Sequence, residues 1–96
     1  MVRKKFTIIA YDITEDSRRN KVAALLEAHG TRRNKSVFEC MVSESQLKKI
    51  RTELAQFIDA TTDTVLVYRI CLDCYIKSEL IGKPTNLPPT DKVIMI

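Results

Sequence analysis

The chain has 96 residues, 45% of them apolar and 29% charged, with two glycines and three prolines; this describes one ordinary globular domain and excludes a low-complexity or two-domain chain. Sixteen Lys and Arg against twelve Asp and Glu leave a net charge of +4, which favours an anionic partner, nucleic acid first. Three cysteines are an odd number and no framework for a secreted disulfide scaffold, so a reducing cytoplasm is expected.

The basic start, Met1 to Lys5, runs into Phe6-Thr7-Ile8-Ile9-Ala10-Tyr11. This apolar run is too short for a secretory leader, lacks a small-residue cleavage site and stops at Asp12. No stretch approaches the roughly 18 apolar residues of a membrane span, and no membrane association is expected. Rich in β-formers and bounded by charge, residues 6–11 read as a buried central strand. Asp12 sits where it ends.

Thr14, Glu15, Asp16 and Ser17 offer cap-type residues and first-turn acids, with Asp16 or Ser17 as the expected cap. Val22, Leu25, Leu26 and His29 then follow at helical spacing, predicting a helix over residues 16–29 that Gly30 ends in a left-handed conformation. His29, the single histidine, reads as structural. Residues 31–42 are extended, either as a short edge strand turning at Asn34-Lys35 or as one long bent strand. Ser43 and Gln46 have the capping-box spacing, and Leu47, Ile50, Leu54, Phe57 and Ile58 keep a helical period to about residue 59. Lys48, Lys49 and Arg51 lie off that stripe and read as solvated. Residues 64–71 are β-branched and aromatic, a further strand.

Beyond Cys74 the pattern weakens. Gly82, Pro84, Pro88 and Pro89 punctuate a loop, and Lys92-Val93-Ile94-Met95-Ile96 reads as a last strand. Cys71 and Cys74 have zinc-knuckle spacing, but one pair supplies two of four ligands, so they read as plain thiols at a strand end. There is no Gly-rich phosphate loop and no set of residues for a nucleophilic triad. The order of elements predicts an α+β protein: a ferredoxin-like βαββαβ sandwich with an extra C-terminal strand. Residues 1–78 form the domain. Residues 79–96 form a C-terminal loop and strand expected to pack on a partner subunit.

The candidate site residues follow from charge and placement. Arg18, Arg19, Lys21, Arg32 and Arg33, with Lys35 nearby, are the expected nucleic-acid contacts, read as phosphate-neutralising groups. Asp12, at a strand end, is either a turn former or helix cap or a functional carboxylate.

Three segments together resemble the CRISPR-associated Cas-two family of small spacer-acquisition proteins. They are Tyr11-Asp12-Ile13 with Arg18-Arg19 and Lys21-Val22; Gly30 leading to Arg32 and Ser36-Val37-Phe38-Glu39; and Asp63, Val65 and Tyr68 followed by Cys71-Leu72-Asp73-Cys74. Asn34 and Arg33 depart from the pattern, standing where Gln and an apolar residue are usual. The resemblance implies a homodimer with one Asp12 from each subunit near the two-fold axis, holding Mg²⁺ (or Mn²⁺) and serving as the catalytic residue. Two such carboxylates repel unless they share a cation, and Mg²⁺ accepts one or two carboxylates while keeping several waters. The resemblance also implies binding of DNA or RNA, and work beside a larger CRISPR integrase. Members act either as metal-dependent endonucleases or as non-catalytic scaffolds, and a toxin-like ribonuclease family shares the plan.

Overall fold

Alternation of side chains along a strand sorts residues 6–12 into two sets. Thr7, Ile9 and Tyr11 are buried on one face, while Ile8 and Ala10 on the other are half-buried. In the computed structural model, which describes residues 3–82, this segment is β1 (Lys4–Asp12), followed by α1 (Asp16–Glu27), β2 (Gly30–Asn34), β3 (Val37–Ser43), α2 (Glu44–Phe57), β4 (Thr64–Ile70) and α3 (Leu72–Ile76). The sheet order is β2-β3-β1-β4 and every pairing is antiparallel. That is the expected ferredoxin-like plan, with the first strand inside the sheet. Ile9 lies opposite Phe38 on one side and Val67 on the other.

The core lies between the sheet and the two long helices. Val22 and Leu26 from α1 and Leu47, Ile50 and Leu54 from α2 meet Ile9, Tyr11, Phe38, Cys40 and Val42. Full burial of each large aliphatic or aromatic side chain contributes roughly 1.5–3 kcal/mol. The capping box forms as expected: Gln46 N–H donates to Ser43 Oγ at 3.2 Å, and Ser43 N–H donates to Gln46 Oε1 at 2.8 Å. Lys48, Lys49 and Arg51 are exposed. No helix among the described residues is long and apolar enough to cross a membrane.

Four local expectations are corrected. The cap of α1 is Glu15, whose carboxylate accepts the N–H groups of Ser17 at 2.7 Å and Arg18 at 3.0 Å, rather than Asp16 or Ser17. The helix ends at Glu27, two residues short of His29. Gly30 is not left-handed; it opens β2 in register with Cys40. Its need for no side chain comes from close approach, since a Cβ there would lie 2.3 Å from the Glu39 carbonyl oxygen and 2.6 Å from Cys40 Sγ. Residues 72–76 form the short helix α3, whose Tyr75 ring lies 4.3 Å from that of Phe6. Of the two readings of residues 31–42, the structure has the hairpin of two strands. The expected strand at residues 92–96 lies outside the described residues.

Candidate functional site

The hairpin between β2 and β3 is fastened to the end of β1 by its backbone. Tyr11 N–H donates to the Ser36 carbonyl at 3.0 Å, and the buried Tyr11 hydroxyl donates to the Lys35 carbonyl at 3.1 Å. That carbonyl also accepts from Arg32 Nη2 at 2.9 Å. Tyr11 is held from its other side by a stacked contact with Phe38, and the Arg32 guanidinium lies 5.4 Å above the same Phe38 ring. The apolar core thus fixes the position of a basic turn beside Asp12.

On the opposite flank, Arg19 reaches back from α1 to the loop after β1. Its Nη1 donates to the carbonyls of Ile13 at 3.1 Å and Thr14 at 3.2 Å, and its Nη2 pairs with Asp16. Between these flanks lies a cleft of about 460 Å³ lined by Asp12, Arg19, Asn20, Arg32, Lys35 and Ser36 with Tyr11 and Ile13. Asp12 is exposed, and none of the hydrogen bonds and ion pairs among the described residues involves its carboxylate. One carboxylate faces two guanidiniums and one ammonium, partly offset by Asp16 on Arg19 and by Glu27, 3.5 Å from Arg32. No histidine and no second acid lines the cleft among the described residues, and no cluster of three or more metal-ligating side chains occurs there.

The structure therefore brings together Asp12, Arg19 and Arg32 of the expected site, and adds Asn20, Lys35 and Ser36. Lys35 was visible in the sequence as part of the basic run; Ser36 stood only in a resemblance segment and Asn20 carried no signal, because only the fold brings them to the strand end. Lys21 is exposed on α1 but does not line the cleft. Arg33 turns toward Glu39, with Nε donating to Oε1 at 2.8 Å.

Arg18 is engaged elsewhere. Its Nε and Nη2 donate to the Asp63 carboxylate at 2.9 and 3.4 Å, and that side chain is wholly buried. Asp63 also accepts the Asp59 N–H at 2.9 Å and the Thr62 hydroxyl at 3.2 Å. Hydrogen bonding from Arg18, and then from the Asp59 amide, holds the Asp63 carboxyl below its ordinary range. The same pair pushes the Arg18 guanidinium up. Asp63 precedes Thr64, the residue opposite Asp12 in the sheet, so this pair, with Asp63 buried and Arg18 half-buried, ties α1 to the strand that flanks the site.

Comparison with known proteins places this arrangement. The family model for CRISPR associated protein Cas2 matches residues 5–78. A CRISPR-associated endoribonuclease Cas2 from Chloroflexus aurantiacus is 41% identical over 78 residues, covering 80% of this chain and 84% of the relative. The crystal structure of Streptococcus pyogenes Cas2 superposes with a TM-score of 0.71 at 29% identity, covering 80% of this chain and 99% of that one. A chain of a partial Cas6-RT-Cas1–Cas2 complex superposes with a TM-score of 0.65 at 25% identity, covering 77% of this chain and 87% of that one. The family model spanning residues 5–78 and the identity and coverage of these relatives show that the chain belongs to the CRISPR-associated Cas2 family.

Proposed function

We propose that this protein serves CRISPR spacer acquisition as a nucleic-acid-binding homodimer beside an integrase partner, with Asp12 as the metal-binding and catalytic residue of a phosphodiesterase dependent on Mg²⁺ or Mn²⁺. The observation that carries this reading is the cleft at the end of β1, where an unengaged carboxylate shares one opening with Arg19, Arg32 and Lys35. The relative named an endoribonuclease and the neighbour in a Cas1–Cas2 complex support the nuclease and the integrase partner respectively.

The chemistry follows from the residues. Arg19, Arg32 and Lys35 offer cationic donors to phosphate oxygens, which positions a backbone without reading its bases. Lys21 extends the basic surface along α1. Arg18 and Arg33, engaged by Asp63 and Glu39, add to the field around the site more than to direct contact. Asp12 supplies one hard oxygen donor per chain, and two copies supply the two carboxylates that Mg²⁺ tolerates. Held by Asp12 of each chain, such an ion would supply a water of lowered pKa and would offset charge on the phosphodiester.

A specific observation favours a second reading, a non-catalytic adaptor: among the described residues, Asp12 is the single acid lining the cleft, and no histidine lines it as a general base. RNA and DNA cleavage with Mg²⁺, Mn²⁺ or EDTA, in the native protein and in Asp12→Ala, separates the two. Cleavage that needs metal and disappears in Asp12→Ala supports the nuclease. Retained binding with no cleavage under any metal supports the adaptor, and full cleavage by Asp12→Ala removes Asp12 from the chemistry.

A further inference from the structure

At the other end of the sheet, where β4 passes into α3, two thiols stand one turn apart. Cys71 is the residue before α3, and its Sγ accepts the backbone N–H of Cys74 at 3.3 Å. Both residues are exposed. The spacing from the residue before a helix to its third residue suits a disulfide, whose Cα atoms lie about 4.4–6.8 Å apart. The third cysteine, Cys40, is sealed in the core, and burial pushes its thiol up to about 11.

The surroundings of Cys71 are electropositive. It lines a cleft of about 480 Å³ together with Arg3, Lys4, Lys5 and Arg69, over an apolar floor that includes Phe6 and Tyr75. Glu44 offsets part of this charge, lying 3.7 Å from Lys5 and 3.4 Å from Arg69. Asp73 also faces Cys71, but it is paired with Lys77 at 3.0 Å. Four cations against these two acids leave a rim suited to a ligand bearing carboxylates. The two thiols differ: the Cys74 amide and thiol hold Cys71 below the ordinary thiol range, and Cys71 in turn pushes Cys74 up.

We propose that Cys71 and Cys74 form a redox-active dithiol that exchanges with anionic low-molecular-weight disulfides, Cys71 attacking and Cys74 resolving. In the first step Cys71 gives up its proton and its Sγ bonds to one sulfur of the disulfide, whose other half leaves as a thiolate and takes up a proton. In the second, Cys74 gives up its proton and attacks Cys71 Sγ. The intramolecular disulfide forms and the second half leaves as a thiol. The protein loses two electrons and two protons, and the small disulfide becomes two thiols. The hydrogen bond from the Cys74 amide favours the attacking thiolate at Cys71.

The test uses the full chain, reduced and then exposed to glutathione disulfide. Trypsin cleaves after Arg69 and Lys77, so one peptide, residues 70–77, carries both thiols and excludes Cys40. That peptide is expected to lose two hydrogens while Cys40 stays free. Cys74→Ser keeps the amide that supports Cys71 and is expected to trap glutathione on it. Cys71→Ser is expected to react about tenfold more slowly. Arg69→Gln is expected to slow the reaction about tenfold with glutathione disulfide, and to leave the neutral bis(2-hydroxyethyl) disulfide unaffected. Thiols that stay free, or equal rates in the two cysteine variants, overturn the dithiol. Equal effects of Arg69→Gln on both disulfides overturn the anionic specificity. Purified protein with one zinc per two chains and thiols unreactive until chelation makes this a shared metal site instead.

Discussion

The guanidiniums of Arg18 and Arg19 are neighbours in sequence and serve different ends. Arg18 compensates the buried Asp63 carboxylate, while Arg19 lines the cleft beside Asp12. Arg19→Gln and Arg32→Gln are therefore expected to flatten the salt dependence of nucleic-acid binding, each by about one unit of log–log slope. Arg18→Gln is expected to leave the slope nearly unchanged and to lower the thermal midpoint instead. Titrations at several salt concentrations, paired with thermal melts, check both; a slope change equal to that of Arg19→Gln assigns Arg18 to phosphate contact. The pH dependence has a definite sign. Asp63 is held below its unfolded value by Arg18, so its contribution is present above the unfolded carboxylate range, near 4. It is lost as pH falls through the lower folded value. Asp63→Asn is expected to lower the melting temperature at neutral pH and to flatten the acid limb of the stability curve. The sequence displays the sign of Arg18 but not its partner 45 residues away, which is why it stood among the expected phosphate contacts.

Among the elements, those with redundant signals were legible. In α2 the capping box, the apolar stripe of Leu47, Ile50 and Leu54, and the exposed basic residues all agree, and consistency across levels specifies structure. Ser43→Ala is expected to cost about 1 kcal/mol by chemical denaturation, through the lost cap. Gly30 illustrates a signal read through the wrong mechanism. A glycine after an apolar helical stripe resembles a left-handed terminator, whereas here it lets β2 lie against the Glu39 backbone. Gly30→Ala is accordingly expected to destabilise the protein by about 1–3 kcal/mol, as overpacking does, with the hairpin amides losing exchange protection first. A left-handed site would instead be rescued by Asn, so an Asn variant no worse than wild type opposes the close-approach account. The short α3 was illegible because a five-residue helix has too few positions for a period, and its anchor, the Tyr75 contact with Phe6, is tertiary. The cleft at Asp12 was half legible: charge marked Arg19, Arg32 and Lys35, but only the antiparallel register sets the hairpin turn beside the end of β1.

At the scale of the molecule, both long helices pack on one face of the sheet, and among the described residues much of the other face is exposed. Leu66 and Tyr68 on β4 are 48% and 51% exposed there, beside Ile8 and Ala10 of β1, and Asp12 continues the same alternation to the strand's end. A second copy seated on this face would bury apolar surface worth about 25 cal/mol per Å². An isologous contact repeats each substitution twice. Leu66→Asp should therefore raise the dimer dissociation constant by at least about a hundredfold, since one factor of ten is about 1.4 kcal/mol, while leaving the thermal midpoint of the monomer nearly intact. Light scattering across a dilution series reads the mass, and circular dichroism reads the fold. In the proposed dimer, with Asp12 ending this face, metal and association would be coupled: two carboxylates brought together repel, and a shared cation relieves them. Mg²⁺ is expected to tighten the native dimer and to leave Asp12→Ala unaffected. Without metal, Asp12→Ala is expected to associate at least as tightly as the native chain. A dimer that withstands Leu66→Asp is joined elsewhere. A dissociation constant indifferent to Mg²⁺ in the native chain places the two Asp12 residues too far apart to share an ion, and would leave each cleft to act on phosphate alone.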